Sequence, residues 1–79
     1  MAADRPDTAL RDELQLVQEQ LAELRATAAE LREQIGERSY GPTDPAEMAT
    51  AITAAEEQEA FARLLEARRE DILRRLSEA

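Results

Sequence analysis

Leu10, Leu14, Val17, Leu21, Leu24, Ala28, Leu31 and Ile35 are separated by alternating steps of four and three residues. An α-helix turns once every 3.6 residues, so this two-in-seven repeat draws one narrow apolar stripe along its surface. A stripe that holds the 3.5 period for more than three repeats demands a second helix, packed by knobs into holes. Leu16 is the one large apolar residue of the segment that lies well off the line. This feature constrains the fold more than any other.

The partner helix comes from the same chain. Gly36 stands where a helix C-cap would want it, and Ser39-Tyr40-Gly41-Pro42-Thr43-Asp44-Pro45 is a run of turn formers that cannot continue a helix. Asp44-Pro45-Ala46-Glu47 then reads as a helix start. Asp44 is the N-cap, Pro45 occupies the first helical position where its missing N–H costs nothing, and Glu47 completes a capping box. The sequence predicts a tail over 1–7 ended by an Asp7 or Thr8 cap, a helix over 8–36, a loop over 37–44 and a helix over 45–77. A loop of this length returns the second helix antiparallel to the first.

Apolar positions in the second helix are less tidy. Met48, Ala51, Ile52, Ala54, Ala55, Phe61, Ala62, Leu65, Ile72, Leu73 and Leu76 spread over roughly 160° of its circumference, with Leu64 further round. Gln58 and Arg69 project from the middle of that arc, and Arg69 is placed to set register, as buried polar groups do in coiled coils. Reading back from the loop, Ile35 meets Met48, Leu31 faces Ile52, Ala28 faces Ala55, Leu21 faces Ala62 and Leu10 faces Leu73.

The predicted fold is therefore all-α, a two-helix antiparallel coiled-coil hairpin. An arc wider than one seam can cover leaves Phe61, Leu64, Leu65 and Ile72 with Arg69 as an oligomer or partner interface. Two hairpins dimerising into a four-helix bundle would bury it. Tyr40 and Pro42, at the hairpin tip, are either a cover over the end of the core or a recognition element on a loop.

Composition removes most chemistry. The 79 residues contain no cysteine and no histidine, which excludes disulfides, thiolate or imidazole metal ligands and Ser-His or Cys-His nucleophilic pairs. Gly36 and Gly41 are isolated, so no phosphate-cradling loop exists. Glu56, Glu57 and Glu59 cluster without the spacing of a calcium loop and read as a solvated face. A formal charge of −8 argues against direct contact with nucleic acid or an anionic membrane, since both need a surplus of cations. No apolar leader follows Met1, and the apolar runs are far shorter than a membrane span, so a cytoplasmic protein is expected.

The expected function is that of a non-catalytic protein–protein interaction module without cofactor or metal, a homodimeric adaptor or assembly protein. An alternative is a small acidic regulator that sequesters a basic partner such as a transcription factor. A third reading is a nucleic-acid mimic. In general shape the predicted hairpin is similar to coiled-coil anti-sigma factors, but their Glu-x3-Ser-x2-Arg-x3-Gln-x3-Asp signature is on neither helix. Ser39 and Ser77 are the only serines.

Overall fold

A computed structural model of the chain describes residues 6–38, 41 and 44–78. It contains two helices, α1 (Pro6–Arg38) and α2 (Pro45–Glu78), packed side by side into a rod of 64 × 16 × 15 Å. The predicted all-α antiparallel hairpin is what the chain forms. Residues 1–5, Tyr40 and Pro42 lie outside the described residues.

Both helices begin on a proline, whose fixed φ suits the first turn and whose missing N–H is no loss there. α1 starts at Pro6, two residues earlier than expected, and carries Asp7 in its first turn, where a carboxylate meets the positive end of the helix dipole. Asp44 caps α2 as predicted. Its Oδ1 accepts from the Ala46 N–H at 3.0 Å, and its carbonyl accepts the Met48 N–H at 3.0 Å.

At the other end of α1 the expectation needs correcting. Gly36 is not the C-cap, because it lacks a positive φ and the helix continues to Arg38. A glycine inside a helix costs only ~1 kcal/mol, and two further residues bring a cation to the C-terminal turn, where the dipole favours it. The Gly41 N–H then donates to the Arg38 carbonyl at 3.2 Å.

Three ion pairs between the helices fix their register. Arg25 bonds Glu66 at 3.1 Å and Arg32 bonds Glu59 at 2.6 Å along one flank, while Arg68 grips Glu13 along the other. With seam positions lettered a and d, α1 presents Leu14, Leu21, Ala28 and Ile35 at a, and Leu10, Val17, Leu24 and Leu31 at d. The ion pairs then place Met48, Ala55, Ala62, Arg69 and Leu76 of α2 at a, and Ala51, Gln58, Leu65 and Ile72 at d. The Arg25 and Arg32 pairs join e to e, the Arg68 pair joins g to g, and each a layer lies level with a d layer. This is the geometry of an antiparallel coiled coil.

In that register Leu14 lies level with Ile72, Val17 with Arg69, Leu21 with Leu65, Leu24 with Ala62 and Ala28 with Gln58. The pairing expected from the loop was three residues out. Leu10 stands level with Leu76, which leaves Leu73 on the e flank and 42% exposed. The seam of α2 is thus as narrow and as strict as that of α1, with Gln58 and Arg69 holding two of its places.

Burial follows the seam. Val17, Leu21, Ala62 and Ile72 form the core, with Leu10, Leu14, Leu24, Leu65 and Leu76 packed against it. Ala28 and Ala55 are the buried residues towards the loop. Leucines and isoleucine therefore concentrate at the end that holds the chain termini, where each buried side chain contributes ~1.5–3 kcal/mol. In the loop half only Ala28 and Ala55 are buried, with Leu31, Ile35 and Met48 half-buried, so that half is held more weakly.

Candidate interaction surface

With the seam closed, the outer faces are what another molecule meets. They differ sharply. On the e and b flank, Arg25–Glu66 and Arg32–Glu59 span a shallow groove lined also by Ala28, Ala29, Ala62 and Arg63. Cations and carboxylates balance there. Arg32 donates through Nε at 3.0 Å and Nη2 at 2.6 Å to the two oxygens of Glu59. That hydrogen bonding is the main cause holding the Glu59 carboxyl below its ordinary pKa, with the charges of Arg32 and Arg63 assisting against desolvation. Glu59 reaches across to α1 because its e position faces the partner helix.

The g and c flank has another character. Near the chain termini Arg68 donates to Glu13 from Nε at 2.6 Å and from Nη1 to Asp71 at 3.1 Å. Asp71 also accepts from Arg74 at 2.6 Å and Arg75 at 3.1 Å. The Arg74 hydrogen bond is the chief reason that the Asp71 carboxyl sits below its ordinary pKa, and the charges of Arg75, Arg74 and Arg68 add to it against desolvation. Asp71 thus gathers Arg68, Arg74 and Arg75 along its own helix. These arginines are employed inside the hairpin.

Loopward of this network no arginine occupies a g or c position. Glu23, Glu30 and Glu37 of α1 and Glu47 and Glu57 of α2 stand there instead. On the same flank Phe61 is 54% and Leu64 is 70% exposed, one helical turn apart, and Leu16 of α1 is 54% exposed. Next along α2, a surface groove between the helices is lined by Leu31, Gln34, Arg38, Ala46, Glu47, Thr50, Ala51 and Ala54. Ala54, the g residue one heptad from Phe61, belongs both to this groove and to a neighbouring one with Ala49, Thr50, Thr53 and Glu57.

The predicted interface residues divide accordingly. Phe61 and Leu64 are exposed together on one flank. Ile72 was expected to stay partly wet, yet it is fully buried in the hairpin's own seam, and Leu65 packs against the same core. Arg69 is half-buried at its a position, with its Nε shielded from solvent and without a hydrogen-bond partner. The acidic, groove-bearing flank around Phe61 was missed. Its signal was in the sequence, since the strict heptad of α1 requires an equally strict one in α2, and a count from Leu76 in threes and fours would have placed Phe61 at g.

Among the described residues no helix is long and apolar enough to cross a membrane, and no group of three or more acidic side chains is placed to hold a metal ion. No family model, curated protein or solved structure matches the chain.

Proposed function

We propose that the chain is a non-catalytic protein–protein interaction module, a rigid hairpin that offers the flank around Phe61 and Leu64 to another protein. The observation carrying this reading is that two large apolar side chains stand exposed beside each other on a helix whose own seam is already closed. Exposed apolar groups scattered singly need no explanation, but a pair beside a groove on so small a rod is a docking feature. The absence of cysteine and histidine supports a binding role over catalysis.

The acidity of the same flank favours a basic partner, the regulator reading, over self-association as a homodimer. The test uses wild-type hairpin and the Phe61→Ser, Leu64→Ser double variant as baits in extract of the native host. A protein retained by the first and lost from the second is expected. Identical retention on both baits would remove the reading.

A further inference from the structure

We infer that the g and c flank docks a basic amphipathic helix, laid along the groove between α1 and α2 to complete a three-helix bundle. The inference rests on the interaction-module reading and names its partner. Three features of the flank specify the occupant. The groove is bounded by two antiparallel helices and has an apolar floor of Leu31, Ala51 and Ala54, a shape that receives the apolar stripe of a third helix. Small side chains at Ala54 and Thr27, level with each other on the two g rows, let a helix backbone come close. Phe61 and Leu64 then supply the larger contacts from two turns further along α2, as anchor residues do in helix-in-groove complexes.

Charge decides which helix it is. Carboxylates outnumber cations along the rim, with Glu23 and Glu30 on α1 and Glu47 and Glu57 on α2 against Arg38 at the loop end of the groove. The arginines at g and c, Arg68 and Arg75, are already bonded to Glu13 and Asp71. A second copy of this chain therefore brings a rim in which carboxylates outnumber cations in either orientation, and like charges apposed across an interface are repelled. A helix with leucines at i, i+3, i+4 and i+7 and with arginine or lysine on either side of that stripe satisfies both floor and rim. Steering by the opposite charges would also make its association fast and salt-sensitive.

The probe is a synthetic 21-residue helix of alanine and glutamine with such a leucine stripe flanked by lysines. It is titrated into 15N-labelled full-length hairpin at 0.15 M salt, beside a scrambled peptide of equal charge. Expected are amide shifts confined to residues around Leu16, Gln20, Leu31, Ala51, Ala54, Phe61 and Leu64. Affinity should fall at least about tenfold in the Phe61→Ser, Leu64→Ser variant, a loss equivalent to ~1.4 kcal/mol. Circular dichroism of the variant should be unchanged, since both side chains are exposed. Equal binding of the scrambled peptide, or undiminished binding by the variant, means charge attraction without a site and overturns the inference. If the peptide does not bind but the hairpin doubles in mass through Phe61 and Leu64, the occupant is a second copy. The inference then falls while the interaction module stands. A hairpin that binds neither peptide nor itself at millimolar concentration overturns both.

Discussion

Asp44, Arg69 and Glu59 show how single side chains act at three different depths of this rod. Asp44 is exposed and works through one hydrogen bond to the Ala46 N–H. Asp44→Ala should cost about 1 kcal/mol, as N-cap losses do, and lower the melting temperature by roughly 4–8 °C for a domain of this size. Arg69 occupies a core layer level with Val17 and leaves its Nε unpartnered. Replacing a charge in such a place by a well-packed apolar residue is often stabilising by about 1–4 kcal/mol. Arg69→Leu should therefore raise the denaturant midpoint. It should also broaden the range of registers and oligomers, visible as mixed masses in sedimentation, because a polar seam residue penalises misaligned pairings.

The Glu59 carboxyl titrates below its ordinary value of 4.5 through its bonds to Arg32. A depressed carboxylate pKa means that the folded state holds the ionised form more strongly than the unfolded one. Its stabilisation is whole above the ordinary pKa and disappears as pH falls through the lower folded value. Both partners are solvent-exposed, so the effect is small. The melting temperatures of wild type and Glu59→Gln should differ at pH 7 and converge once pH drops below the folded Glu59 value. A gap that persists unchanged in acid would assign it to packing instead.

At the scale of elements, the helices are unequal partners. α1 carries leucine, isoleucine or valine at all but one of its seam places, whereas the seam of α2 holds three alanines, Ala51, Ala55 and Ala62, besides Gln58 and Arg69, and its larger groups Leu65, Ile72 and Leu76 cluster near its C-terminal end. Helices of this length in isolation depend on a packed face for most of their stability. Peptides spanning 6–38 and 45–78, mixed in equal amounts, should show more helical circular dichroism than the sum of the two alone. Simple additivity would mean that the seam does not hold α2. The same inequality explains what could be read in advance. The α1 stripe, the turn run and the Asp44 cap are local signals and were legible. The α2 seam was not, because a reading by hydrophobicity discards Gln58 and Arg69 and admits Ile52, Ala54, Phe61 and Leu73 in their place.

For the whole molecule, shape and charge act together. A rod 64 Å long and only 16 × 15 Å across exposes its flanks along its whole length, and most of the net charge of −8 is concentrated on one of them. Unpartnered hairpin should sediment near 8.8 kDa over a hundredfold concentration range at 0.05 M salt. Any self-association through Phe61 and Leu64 should emerge only near 1 M salt, where the screening length contracts to about 3 Å. A dimer already complete at low salt would show that apolar burial outweighs the repulsion.

The sequence by itself determined two helices, their hairpin connection, the capped start of the second and the lack of histidine and cysteine chemistry. Each of these depends on residues near one another in the chain or on composition. The tertiary structure alone decided register, and register decided which side chains lie level across the seam. An alanine-rich helix fits its partner almost equally well after a three-residue shift, since small side chains discriminate poorly between neighbouring holes. The choice falls to contacts between residues far apart in sequence, Arg32 with Glu59, Arg25 with Glu66 and Arg68 with Glu13. That choice sets Leu14 level with Ile72 and Leu10 with Leu76, while the outward face of Phe61 and Leu64 follows from the α2 heptad itself.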